Sequence, residues 1–187
     1  MYRREALQRV AVILGGTIIG AEAFLTGCKT EEKKASMALS EEDVPYLDEI
    51  AETIIPTTDS PGAKVAEVGK FMIVYVTDCY DEDNQKSFVD GLNKIDEASK
   101  KKFDATFMKT TPQQRHELLV ELDKEQKEYQ KTKKKEDPQH YFRLMKELTM
   151  LGYFTSKVGA TQALRYLETP GRYEGCIPYK KGDKAWA

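Results

Sequence analysis

Ala63-Lys-Val-Ala-Glu-Val-Gly-Lys-Phe-Met-Ile-Val-Tyr-Val-Thr-Asp-Cys79 holds the densest apolar run outside the first 28 residues. Val65, Val68, Phe71, Met72, Ile73, Val74, Tyr75 and Val76 leave almost no polar side if the stretch is helical. A helix that is apolar all round is a buried one. The reading is a helix over 63–79 at the centre of a bundle, with a strand as the alternative because Ile73, Val74 and Val76 are β-branched. Upstream, Ser40 and Asp43 have the spacing of a capping box for a helix over 41–55, whose apolar stripe is Val44, Leu47, Ala51, Ile54 and Ile55. Pro56 ends that helix. Thr57-Thr58-Asp59-Ser60-Pro61-Gly62 then makes a turn in which Asp59 or Ser60 is placed to cap the next helix, with Pro61 near its first position.

Downstream the same logic continues. A third helix over about 83–104 puts Phe88, Leu92 and Ile95 on one side, with Phe103 and Phe107 extending the line and Lys100, Lys101 and Lys102 facing water. Thr111-Pro112-Gln113-Gln114 is a cap, then a proline, then a capping-box glutamine, and it opens a fourth helix with Leu118, Leu122 and Tyr129 inward. Asp137-Pro138 opens a fifth carrying Phe142, Met145, Leu148 and Leu151, interrupted at Gly152. A short sixth is expected over 156–167. Pro170, Gly171, Gly175, Pro178 and Gly182 make the end an irregular tail. The expected fold is all-α, a single-domain bundle of five to six helices over 39–187.

Composition agrees with this reading. The chain has 187 residues, 40% of them hydrophobic and 32% charged, with only 12 Gly and 7 Pro. That is one globular domain with an appendage, not a collagen, a long disordered chain or a polytopic membrane protein. A formal net charge of -2 gives no support to the basic surface that nucleic-acid binding needs.

The appendage is the N-terminus. Arg3, Arg4 and Arg9 precede an apolar run over 10–25 that contains one charge, Glu22, and is shorter than the roughly 20 residues of a bilayer span. A basic start, a short apolar centre and small residues before a cut site are the parts of a secretory signal over 1–27. Leu25-Thr26-Gly27-Cys28 resembles a bacterial lipobox, which implies diacylglycerol on Cys28 and cleavage before it. The mature protein is then lipid-anchored in the cell envelope, at its periplasmic or outer-membrane face, with 28–38 as a polar tether. Arg3 and Arg4 followed by Leu7 resemble a twin-arginine signal, which exports folded cargo. Tyr2, Ala6 and Gln8 depart from that pattern, and ordinary unfolded export is the alternative.

Catalytic and cofactor motifs do not emerge. His116 and His140 lie on different helices without neighbouring cysteines, so their spacing builds no zinc site, and solvent-facing or capping roles are expected. Cys-x-x-Cys-His, Gly-x-Gly-x-x-Gly and Gly-x-Ser-x-Gly do not occur, so covalent c-type haem, a dinucleotide cradle and a nucleophile elbow have no sequence support. With Cys28 lipidated, Cys79 and Cys176 remain as an even pair in an oxidising compartment. A disulfide between them is the expectation, and two buried free thiols are the alternative.

Glu52-Thr-Ile-Ile-Pro-Thr-Thr-Asp-Ser-Pro-Gly-Ala63, Leu148-Thr-Met-Leu-Gly-Tyr-Phe-Thr-Ser-Lys-Val-Gly-Ala160, Gly171-Arg-Tyr-Glu-Gly-Cys176 and the end Lys184-Ala-Trp-Ala187 together resemble the gluconate 2-dehydrogenase subunit 3 (small-subunit) family. The resemblance implies a non-catalytic partner of an FAD-dependent sugar or sugar-acid dehydrogenase, of the gluconate 2-dehydrogenase or glucoside 3-dehydrogenase type. FAD and substrate oxidation then belong to the large subunit, and in related systems a cytochrome c subunit passes electrons onward. This chain binds no cofactor or metal in that picture; it exports, assembles or stabilises its partner. Thr57, Thr58, Asp59, Pro61, Gly62, Gly152, Tyr153 and Gly159 are the candidates for contact with the large subunit, or else residues that make the turns. The rival reading is an independent cell-surface lipoprotein that binds carbohydrate through some of its 10 Tyr. If Cys28 carries the anchor, Cys28→Ala moves the chain from the membrane pellet to the soluble fraction on ultracentrifugation, whereas a spanning segment keeps it in the pellet.

Overall fold

The computed structural model describes residues 39–169, 171, 172 and 175–186. The expectations for the signal and the tether, including Arg3, Arg4 and Cys28, lie outside the described residues. Among those residues the chain forms α1 (Val44–Ile54), α2 (Val68–Cys79), α3 (Glu82–Phe103), α4 (Pro112–Thr132) and α5 (Tyr141–Thr155). Short 3₁₀ turns at Glu41–Asp43 and Phe107–Lys109 and a π-helical turn at Gly159–Ala163 join or end them. No strand occurs among the described residues apart from an isolated parallel bridge between Arg165 and Trp186. None of these helices is long and apolar enough to cross a membrane.

The helix starts show why these segments fold as they do. The Ser40 N–H donates to the Asp43 carboxylate at 2.8 Å, so the expected capping box forms, around a 3₁₀ turn leading into α1. Asp81 caps α3, accepting from the Asn84 amide at 2.8 Å. The acids Glu82 and Asp83 sit in its first turn and Lys100, Lys101 and Lys102 in its last, matching the helix dipole at both ends. Asp104, in the left-handed region at φ 55°, closes α3. At α4, the Thr111 amide donates to Gln114 Oε1 at 2.9 Å and the Gln114 amide returns a bond to Thr111 Oγ1 at 3.3 Å.

The centre of the bundle is α5, not the apolar stretch 63–79. Tyr141, Phe142, Leu144, Met145, Leu148, Thr149, Gly152 and Tyr153 of α5 are buried, and α5 packs against α1, α2, α3 and α4. α2 buries only the stripe Val68, Gly69, Met72 and Val76, and its Val74 is 59% exposed. Apolar residues around a whole helix state what it can bury, but a helix with neighbours on one side buries one face. Leu151, expected inside, is also exposed.

Boundaries move for local reasons. α2 begins at Val68 because Glu67 takes a left-handed conformation at φ 53°, and 63–67 form hydrogen-bonded turns instead. The first turn of α2 is capped from another helix, the Gly69 amide donating to Asp48 of α1 at 2.8 Å. α5 begins at Tyr141, since Asp137 turns back to accept from the Lys134 amide at 2.9 Å and His140 caps the helix through Nδ1. The expected sixth helix shrinks to the π turn, because Gly159 is folded against α5 by a bond from its amide to Ser156 Oγ at 3.0 Å. The expected bridge between Cys79 and Cys176 is not formed. Cys79 ends α2, Cys176 lies in the irregular tail, and both thiols are free and exposed.

Polar ties hold helices to one another. Arg115 of α4 pairs with Glu49 of α1 and donates from Nε to the Phe107 carbonyl at 3.1 Å. The Asp96 carboxylate of α3 accepts from the Tyr46 hydroxyl and from the Phe107 amide, both at 3.0 Å. Asp123 of α4 accepts from Lys146 of α5 and from Lys127, each at 2.6 Å; burial opposes its ionisation, but these bonds and one from Gln126 prevail and hold its carboxyl at about 2.

The α1–α2 crossing is close because Gly69 has no side chain: a Cβ there would stand 2.7 Å from Asp48 Oδ1 and 2.8 Å from the Val44 carbonyl oxygen. Gly69→Ala is therefore expected to force the helices apart and cost about 1–3 kcal/mol, read as a lowered midpoint in urea denaturation.

Candidate functional site

The two long motifs singled out in the sequence, 52–63 and 148–160, meet in space. The first is organised by one carboxylate. Glu52, near the end of α1, accepts from the Thr57 amide at 2.9 Å, the Thr57 hydroxyl at 2.8 Å and the Lys64 amide at 2.9 Å. The Thr57 hydroxyl oxygen in turn accepts from the Gly62 amide at 3.0 Å, and the Ala63 amide returns to the Ile55 carbonyl at 3.0 Å. The loop is thus wound around a single acidic side chain. Burial raises the Glu52 carboxyl, but the bonds from Lys64 and Thr57 outweigh it and leave the group below its ordinary value. Gly62 is required here, since a Cβ would fall 2.3 Å from Glu52 Oε2.

The second motif closes on the first. Tyr153 of α5 is buried, and its hydroxyl donates to the Pro61 carbonyl at 2.6 Å. Gly152 lies against Phe71 of α2, whose Cδ1 would be 2.6 Å from a Cβ at that position. Gly159 faces the Tyr153 carbonyl too closely for any side chain. Thr57, Pro61, Gly62, Gly152, Tyr153 and Gly159 therefore each have an architectural task, while Thr58 and Asp59 stand exposed at the loop tip. The Thr58 amide donates to the Ser60 carbonyl at 3.0 Å. Sequence reasoning missed Glu52 as the organiser. Its five-residue reach to Thr57 and twelve-residue reach to Lys64 fit neither helical nor strand spacing.

A groove of about 540 Å³ opens between α3 and α4, with Lys94, Glu97, Glu125, Tyr129, His140 and Tyr141 among its walls. Its aromatics are already occupied. His140 stacks on Tyr141 at 4.4 Å between centroids, and Lys94 Nζ sits 5.4 Å from the centre of the same ring. Burial lowers the His140 imidazole from its ordinary value, with Glu125, 3.6 Å away, acting the other way. His116 is exposed on α4. Among the described residues no group of three or more His, Cys, Asp and Glu is placed to hold a metal ion.

The family model for gluconate 2-dehydrogenase subunit 3 matches residues 41–171, a span that takes in all five helices and both motifs. The chain belongs to this family. No curated protein and no solved structure gave a match. The family is one of accessory subunits of a dehydrogenase complex. The matched span runs from the 3₁₀ turn before α1 to beyond the π turn, so it takes in the helical body, the joint between its two motifs and the start of the tail.

The joint should respond to pH through Glu52. A carboxyl held below its unfolded value stabilises the fold fully above that value and loses the contribution as pH falls through the folded one. Glu52→Gln is expected to flatten stability against pH in the acid range, measured by thermal melts. Tyr153→Phe, which leaves the Pro61 carbonyl without its buried donor, should cost about 1–3 kcal/mol and leave the acid-range slope unchanged.

Proposed function

We propose that this chain is the non-catalytic accessory subunit of a membrane-associated, FAD-dependent sugar or sugar-acid dehydrogenase, and that it supports the export, assembly or stability of the flavoprotein. The observation that carries the reading is the family match across the whole helical body. The chemistry of the fold is in keeping with it. Glu52, Asp48 and Asp123, carboxylates displaced from their ordinary pKa, are each engaged in hydrogen bonds that tie the scaffold together.

In this reading the N-terminal signal delivers the chain to the cell envelope, the lipid on Cys28 holds it at a membrane, and the helical body holds the large subunit there. A twin-arginine route suits the task, because a flavoprotein that acquires FAD inside the cell must cross folded. Electrons leave the complex through the large subunit or a cytochrome c. The rival reading, a free-standing carbohydrate binder, draws little from the α3–α4 groove, where the Tyr141 ring already stacks on His140 and lies under Lys94.

The test is co-purification. A C-terminally tagged chain, expressed in its own host and extracted with a mild detergent, is expected to bring down a flavin-absorbing protein with dye-linked sugar dehydrogenase activity. Recovery of the chain always alone, or sugar oxidation by the purified lone chain, overturns the proposal.

A further inference from the structure

We infer that His140 is a proton-operated latch: neutral, it holds the first turn of α5 onto the connection from α4, and protonated it lets that turn open. The inference does not rest on the accessory-subunit reading. The Phe142 amide donates to His140 Nδ1 at 3.3 Å. That nitrogen therefore carries no hydrogen, and the proton of the neutral ring is on Nε2. The ring has little room to turn. Its side chain is 9% exposed, it stacks on Tyr141 at 4.4 Å between centroids, and the Tyr129 ring of α4 lies 5.6 Å from it. Tyr141 is itself pinned, since a Cβ at Gly91 of α3 would stand 2.5 Å from Tyr141 Cβ.

The two residues before His140 are fastened to other helices. The Tyr129 hydroxyl of α4 donates to the Pro138 carbonyl at 3.0 Å. From α3, Ser87 donates its hydroxyl to the Gln139 carbonyl at 2.8 Å, and Asn84 Oδ1 accepts from the Gln139 amide at 3.0 Å. His140 completes the row on the α5 side: its ring caps the helix while its carbonyl accepts from the Leu144 amide at 3.2 Å. With the ring withdrawn, the connection stays tied to α3 and α4, but the start of α5 has lost its side-chain cap.

A proton added at Nδ1 puts two donors face to face, so the bond to Phe142 is lost. It also sets a positive charge at the N-terminal end of a 15-residue helix, where the dipole repels cations. The surrounding charges do not reverse this. From α3, Lys94 opposes the imidazolium, while Glu97 and Lys101 line the same groove with opposite signs. From α4, Glu125 lies 3.6 Å from Nε2 and favours the cation, but its side chain is 63% exposed and therefore screened. Asp137 in the connection is engaged by the Lys134 amide. Burial, with Lys94, outweighs Glu125 and holds the imidazole below its ordinary value. The folded chain thus takes up the proton less readily than the unfolded one. Its contribution to stability is complete above about pH 6.5 and is lost as pH falls through the folded value.

The experiment follows amide exchange residue by residue by NMR, in the isotope-labelled full-length chain in mild detergent. The range runs from about pH 8 to about pH 5, where histidine changes charge. After correction for the intrinsic rate at each pH, protection of the Phe142 amide is expected to fall about five- to tenfold, the weight of an N-cap. Its midpoint is expected to coincide with that of the His140 ring signals. The Gln114 amide, capped by Thr111, is expected to keep its protection throughout. His140→Asn, a cap that does not titrate, is expected to hold Phe142 protection at both ends of the range. Glu125→Gln, which removes the acid favouring the imidazolium, is expected to move the midpoint to lower pH. Phe142 protection unchanged in the wild type overturns the latch, as does an equal loss of protection in His140→Asn. Should that variant fail to fold, Glu125→Gln carries the test alone, and a midpoint left in place or raised overturns the proposal.

Discussion

A buried tyrosine hydroxyl must find an acceptor, and the one that Tyr153 finds is the Pro61 carbonyl, 2.6 Å away and far off in sequence. Around that bond the rest of the body is arranged. It fixes the end of the innermost helix against the turn between α1 and α2, and that turn is itself wound on Glu52. Gly152, one residue earlier, removes the side chain that would keep α2 away. The bond and the gap act together: one draws the loop onto α5, the other lets α2 lie flat against it. Hydrophobic burial supplies most of the driving force, but it is non-directional. The hydroxyl and the glycines select one arrangement of five amphipathic helices over others that would bury similar area.

Much of this fold is legible in the residues. Thr111-Pro112-Gln113-Gln114 announces α4 because all the information for a capped start lies within one turn, and the structure shows both capping-box bonds. Phe88 and Ile95 announce the inner side of α3 in the same local way. What depends on a distant neighbour is illegible. The helix over 63–79 loses its first turn to a left-handed Glu67, and Asp48 on another helix supplies the cap that its own sequence lacks. Asp137-Pro138 has the look of a helix start, yet His140 takes the cap position because Asp137 is bound into the preceding turn. The centre of the bundle is illegible for the same reason: hydrophobicity alone ranks α2 above α5, while burial depends on how many helices surround each.

The candidate residues divide along similar lines. Glycines and a proline at 61, 62, 152 and 159 mark special positions in the sequence, and each turns out to stand at a close approach or a bond that holds the two motifs together. Their prominence comes from architecture, which is enough to account for their place in the motifs. Glu52 is equally important and has no sequence signal, because a glutamate near a helix end is ordinary and its three donors come from a loop. On α2 the excess of apolar residues is in plain view in the sequence, and only the fold shows that Val74 faces away from the core.

The Glu52 carboxylate couples two stretches of backbone that are not neighbours in the chain. The amides of Thr57 and Lys64 share it as acceptor, so neither is released to solvent without disturbing the other. Isotope exchange at the two positions is consequently governed by one opening event of the loop, and the first turn past α1 and the approach to α2 behave as a single cooperative unit despite the irregular backbone between them.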